Sequence, residues 1–186
     1  MLNNHNKVKS VFICLMLIMS GLLLAACSQK DDENQHKTAI KEVLGHLFTG
    51  PDERFMDLLW NPKYRTVLNN KEENPELDKY LAEIYGPYMT DSYLHPFLST
   101  IGAHYPTFAY DNGYKLSLNN ITINQSENNS TLYTFTAEVG YQKNGEEEKT
   151  ANVEGEVIFS SKVEGKIEGF QYINENGLSD KLRTSN

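Results

Sequence analysis

Apolar positions recur with two different periods along this chain, and the change comes near residue 113. Ile40, Val43, Leu44, Leu47 and Phe48 fall at offsets 0, 3, 4, 7 and 8, one stripe of a helix, which Gly50 and Pro51 stop. A second helix is expected at once. Pro51 suits its first turn, Asp52 and Glu53 favour its positive end, and Phe55, Met56, Leu58, Leu59 and Trp60 supply apolar surface as far as Asn61-Pro62. Residues 63–74 carry a weaker pattern, read as a short helix through Tyr64 to Leu68. Asn74 then reads as an N-cap, with Pro75 at the first helical position and a stripe of Leu77, Tyr80, Leu81, Ile84 and Tyr85, ended by Gly86-Pro87.

Six of the 11 tyrosines lie between Tyr85 and Tyr114, with Phe97 and Phe108 among them. His95-Pro96 and Tyr105-Pro106 keep this aromatic stretch from reading as one long helix. After Asp111-Asn112-Gly113 the period is two. Tyr114, Leu116 and Leu118 alternate, Ile121 and Ile123 alternate in the opposite frame, and a bulge at Asn119-Asn120 reconciles them. Tyr133 to Tyr141 and Ala151 to Phe159 alternate cleanly about the hairpin signal Asn144-Gly145. A last strand is expected over residues 165–173, and a short helical turn from Gly177 to Leu182.

Helices followed by strands predict an α+β domain: N-terminal helices packed on a curved antiparallel sheet of about four strands. The helix pair from Ile40 to Trp60, the hairpins Leu132–Tyr141 and Ala151–Phe159, and the closing Gly165-Lys166-Ile167-Glu168-Gly169-Phe170 carry a resemblance to the nuclear transport factor two-like family, or cystatin-like cone. It is a resemblance of pattern over most of residues 37 to 175. It implies a pocket between the helices and the concave sheet. The Tyr88–Tyr110 stretch then either rims and lines that pocket or fills the cone as aromatic core.

The first residues carry a different message. Lys7 and Lys9 precede an almost wholly apolar run, Val11 to Leu24, about the length of a signal h-region and shorter than the ~20 residues that span a bilayer. It closes on Leu24-Ala25-Ala26-Cys27, which resembles the lipobox of bacterial lipoproteins. That resemblance implies removal of residues 1–26 and attachment of lipid to the Cys27 thiol, more than one acyl chain being needed for a stable anchor. Residues 27–36, polar from Ser28 to His36, read as a flexible tether, and residues 37–186 as a single domain.

Composition narrows the partners. The leader holds two of the 17 basic side chains and none of the 25 acidic ones, leaving 15 against 25 and a net charge of about −10. An acidic chain of this size argues against nucleic acid and against a basic membrane-binding face. Cys14 leaves with the leader and Cys27 is consumed by lipid, so no disulfide and no thiolate metal site is expected. No cofactor is expected either.

The candidate chemistry is sparse. In enzymes of the cone family a carboxylate or histidine abstracts a proton beside a carbonyl, so the resemblance directs attention to Asp91, His95 and His104. Asp91 and His95 share a helix face if residues 90–94 are helical. The competing reading is a Tyr/His-rich surface loop, or a histidine satisfied by a backbone carbonyl. His36 and His46 stand ten residues apart, ~15 Å along a helix, too far to share a metal. Trp60 with Phe55 reads as core or as a helix-end contact. No serine sits in a nucleophile elbow.

The expected function is that of a membrane-anchored extracytoplasmic lipoprotein. It would be held on the cell membrane through lipid such as palmitate on Cys27, with the Gram-positive surface favoured. Its role would be non-enzymatic binding of a protein partner or small ligand. The alternatives are a lyase or isomerase working in the cone, and a subunit of a secretion, conjugation or cell-wall complex.

Overall fold

The computed structural model describes residues 32–183. The chain divides into two compact units, residues 1–35 and 36–186. Of the first unit, residues 32–35 are described and are helical. The second unit begins in a helix, α1, that runs to residue 48. The polar run read as a tether as far as His36 is therefore helical from residue 32. His36 stands four residues before Ile40, on the same face, and it packs. Its ring stacks on Phe159 at 3.7 Å and its Nδ1 lies 3.1 Å from the Tyr133 hydroxyl. Imidazole has an apolar body and a polar tip, which allows both contacts.

The stripe expected on α1 is the buried one. Ile40, Val43, Leu44 and Phe48 are fully buried and Ala39 and Leu47 nearly so. Helix α2 covers Glu53–Trp60 and α3 covers Pro75–Ile84. Asn74 caps α3 by accepting from the backbone N–H of Leu77 at 3.0 Å, with Pro75 following, as its sequence signature predicts. The expectation for α2 was one step out. Asp52 is its N-cap, accepting from Phe55 N–H at 3.0 Å, and Pro51 stands before the helix.

Residues 63–74 do not hold the expected helix. A 3₁₀ turn at Pro62–Tyr64 leads into a two-strand hairpin, β1 (Thr66–Leu68) and β2 (Lys71–Glu73). Asn69 and Asn70, with φ of 52° and 61°, make its turn, because asparagine tolerates the left-handed region that such a turn requires at both central positions.

The aromatic stretch is more helical than its prolines suggested. Helix α4 (Asp91–Phe97), a π-helical segment (Leu98–Gly102) and α5 (His104–Asn112) follow one another. Pro106 sits in the first turn of α5, where its missing N–H costs nothing. Pro96 lies inside α4, and the hydroxyls of Ser99 and Thr100 donate to its carbonyl at 3.0 and 2.7 Å. The backbone then widens, with Ala103 N–H reaching Leu98 O at 3.3 Å.

Four strands form one antiparallel meander in chain order: β3 (Tyr114–Ser126), β4 (Asn129–Lys143), β5 (Lys149–Phe159) and β6 (Ile167–Asn174). The chain is thus an α+β fold with a curved four-strand sheet. The register slips between Leu118 and Asn120, where opposite frames called for a bulge. Tyr133, Phe135, Ala137 and Val139 of β4 face the core with Ala151, Val153 and Val157 of β5. At Gly155 a Cβ would stand 2.5 Å from both the Gln171 carbonyl oxygen and the Phe135 ring, so a glycine lets that ring lie against the strand. Each edge of the sheet carries a short bridge, Gly50 to Leu116 on β3 and Met89 to Ile167 on β6. Helix α6 (Leu178–Arg183) closes the described chain on α5, with Leu178 and Leu182 fully buried.

The core face of the sheet is filled. Phe48, Phe97, Tyr105 and Phe170 are buried among one another, with ring centroids 5.2 Å apart for Phe48 and Tyr105 and 5.7 Å for Phe97 and Phe170. Each such ring contributes roughly 1.5–3 kcal/mol by leaving water.

Candidate functional site

A recess of about 300 Å³ opens where α1 ends, beside the Gly50-Pro51 turn. Its walls come from five elements. The last turns of α1 bring Glu42, Gly45 and His46, the start of α2 brings Asp52 and Phe55, α3 and the residue after it bring Tyr80 and Tyr85, and Pro106 and Leu116 complete it. The turn is drawn to the sheet by two backbone hydrogen bonds between Gly50 and Leu116, at 3.1 and 2.6 Å. Gly50 has φ 134°, and a Cβ there would stand 2.8 Å from the Asp52 backbone nitrogen.

Asp52 organises the polar part. It caps α2, and it accepts a hydrogen bond from the Tyr80 hydroxyl at 2.5 Å. Burial alone would raise its carboxyl pKa. The hydrogen bonds from Tyr80 and from the backbone N–H of Phe55, with the nearby Arg54 N–H and the Arg54 charge, outweigh burial and hold it below its ordinary value. The Tyr80 hydroxyl is pushed up by burial and by the carboxylate it donates to. One side of Tyr80 is covered by Phe55, stacked at 5.8 Å, and the Arg54 guanidinium lies 5.4 Å from its ring centre. Tyr85 is only 3% exposed and packs edge-on against His46 and Phe97. Burial, then the neighbouring Tyr80 and Asp52, push its hydroxyl far up. Among the described residues that hydroxyl makes no hydrogen bond.

The residues singled out in the sequence lie elsewhere. Asp91 and His95 do share one face of α4, but that face is exposed. His95 Nδ1 stands 3.9 Å from Asp78 on α3, in water, with its side chain 65% exposed. His104 is half-buried at the start of α5. Its Nε2 lies 3.0 Å from Ser179 Oγ and 3.9 Å from Glu175, and Ser179 Oγ donates to Glu175 at 2.6 Å. Burial lowers its pKa, Glu175 opposes that and Arg183 adds to it. One ring nitrogen thus faces both partners, so the carboxylate does not orient the imidazole from its far side as a nucleophilic triad requires. Beside this cluster the hydroxyls of Tyr105 and Tyr172 are buried without hydrogen-bond partners among the described residues, and burial pushes both upward.

Trp60 is not core. Phe55 is buried while Trp60 is 52% exposed, because five helical residues turn it well away from the buried face. It borders an open, shallow groove with Leu59, Pro96 and Leu98. No group of three or more His, Cys, Asp or Glu side chains converges as a metal site among the described residues. No described helix is long and apolar enough to cross a membrane. The leader and Cys27 lie outside the described residues.

No family model matches the chain, and neither does any curated protein or solved structure.

The recess was missed in the sequence because its parts come from positions 42 to 116. One faint signal was present: Gly45, a poor helix former, in the middle of a helical stripe. A Cβ at Gly45 would meet nothing within 4 Å, so the glycine borders open space.

Proposed function

We propose that the chain is a lipid-anchored extracytoplasmic binding protein. Cys27 carries the lipid on the outer face of the cell membrane, and the folded domain takes a small ligand in the recess between α1, α2 and α3. The observation that carries the binding role is the recess itself: concave, walled by aromatic rings, with a few convergent polar groups. The leader and Leu24-Ala25-Ala26-Cys27 support the anchor. A binding role is favoured over catalysis by Asp52. A carboxylate engaged by the Phe55 N–H and the Tyr80 hydroxyl and held below its ordinary pKa is a weak general base. Helices followed by a four-strand meander support reading the domain as cone-like.

Two measurements test this. Cells expressing the full chain incorporate radiolabelled palmitate, and Cys27→Ser abolishes the label and releases the protein from the membrane fraction; undiminished labelling rejects the anchor. A small-molecule panel on the detergent-solubilised chain yields compounds that raise the melting temperature, and Gly45→Leu, which fills the recess, removes the effect. Shifts that persist in that variant place binding elsewhere.

A further inference from the structure

Taking the recess as the binding site, we infer that its ligand is a small protonated amine that also carries a hydroxyl or carbonyl oxygen. The charged residues of the lining are Glu42 and Asp52, with no Lys or Arg among them. The Arg54 guanidinium is held over Tyr80, outside the lining. Asp52 is already ionised and oriented by its cap and by Tyr80, so an ammonium meets a carboxylate that needs no rearrangement. The net charge of about −10 without the leader adds a long-range pull on cations.

A second observation, independent of the carboxylates, asks for the oxygen. The Tyr85 side chain is 3% exposed, lines the recess and makes no hydrogen bond among the described residues. A hydroxyl on a side chain this buried, with no protein acceptor among the described residues, is left to solvent in the recess, and a ligand oxygen there accepts its hydrogen bond in place of water. The volume, about 300 Å³, lies at the small end of ligand pockets and excludes long chains.

Glucosamine is the probe: one ammonium among hydroxyls. Glucose keeps the hydroxyls without the charge, and cyclohexylamine keeps the charge without the hydroxyls. Titration calorimetry on the full-length chain in detergent, near neutral pH, compares the three. Glucosamine is expected to bind more tightly than either. Asp52→Asn should weaken it about tenfold or more by removing the charge. That variant keeps the fold, since Asn caps a helix as well as Asp and its carbonyl still accepts from Tyr80. Tyr85→Phe, which retains the ring packing, should weaken it severalfold and bring its affinity toward that of cyclohexylamine.

Equal binding of glucose and glucosamine overturns the inference, as does an unchanged glucosamine affinity in Asp52→Asn. The oxygen requirement falls if Tyr85→Phe changes nothing. If glucosamine gives no heat while a neutral or anionic panel compound binds and is lost in Gly45→Leu, the amine is wrong and the recess stands. If Gly45→Leu alters no binding, the recess itself falls.

Discussion

Two clusters in this domain use the same side-chain types, a carboxylate with a tyrosine and a histidine nearby, and they end in opposite states. At the recess, Asp52 and Tyr80 pair at the mouth of an accessible cavity, and Tyr85 faces it without a hydrogen bond. At the α5–α6 junction, His104, Ser179 and Glu175 hydrogen-bond among themselves, roofed by a helix whose Leu178 and Leu182 are fully buried. The first set keeps capacity for something that is not protein. The second spends its histidine, serine and carboxylate on holding α6 to α5, while the Tyr105 and Tyr172 hydroxyls beside it are closed off from solvent. Residue type does not separate a site from a fastening; what packs over the residues does.

Removing the roof gives the largest expected effect. Leu182→Ala should destabilise the domain by about 2–5 kcal/mol, the range for a fully buried leucine. It should also loosen α6, so that the His104 pKa climbs back toward its ordinary value, followed by denaturant unfolding and by NMR titration of the imidazole. A His104 titration that stays low in this variant would break the comparison, because burial under α6 would then not be its cause.

Loss of the Tyr80 hydroxyl should cost less. Tyr80→Phe takes one donor from a carboxylate that keeps its backbone donor at Phe55, so about 1 kcal/mol is expected, at the low end for a charged hydrogen bond beside solvent. The sign of the pH dependence follows. Asp52 has a depressed pKa in the folded state, so its contribution is present above the usual carboxylate range and is lost as pH falls through the folded value. In Tyr80→Phe that acid-side loss should be smaller and level off at higher pH, because the folded pKa moves toward the unchanged unfolded one, read from unfolding curves across the acid range.

The smallest effect is a slope. His104 is also depressed, but it is a base kept neutral. The unfolded chain takes up its proton first, so stability should decline as pH falls below about 6.5 and level off under the folded value. His104→Gln should flatten that decline. An unchanged slope would assign it to another group.

The local elements were written in local chemistry. The α1 stripe, the Asn74-Pro75 cap, the bulge near Asn119 and the alternation of β4 and β5 each follow from neighbours within a few residues, and the structure has them. The hairpin at Thr66–Glu73 was legible only through Asn69-Asn70, a weaker turn signal than the Asn-Gly pair at residue 144. Prolines 96 and 106 do keep the aromatic stretch from being one long α-helix, since α4 ends one residue after Pro96 and a π-helical segment separates it from α5, but each proline still lies inside a helix.

The sequence by itself determined the order and kind of the main elements and the acidic balance, since those depend on period and composition. Which polar groups would meet was decided by tertiary structure alone. Asp52 finds Tyr80 across 28 residues and His104 finds Ser179 across 75, while Asp91 and His95, four apart and on one helix face, stay in water. Side chains distant in sequence meet only when apolar faces have been buried against one another, and that burial chose the recess beside Gly45 and closed the node under Leu182.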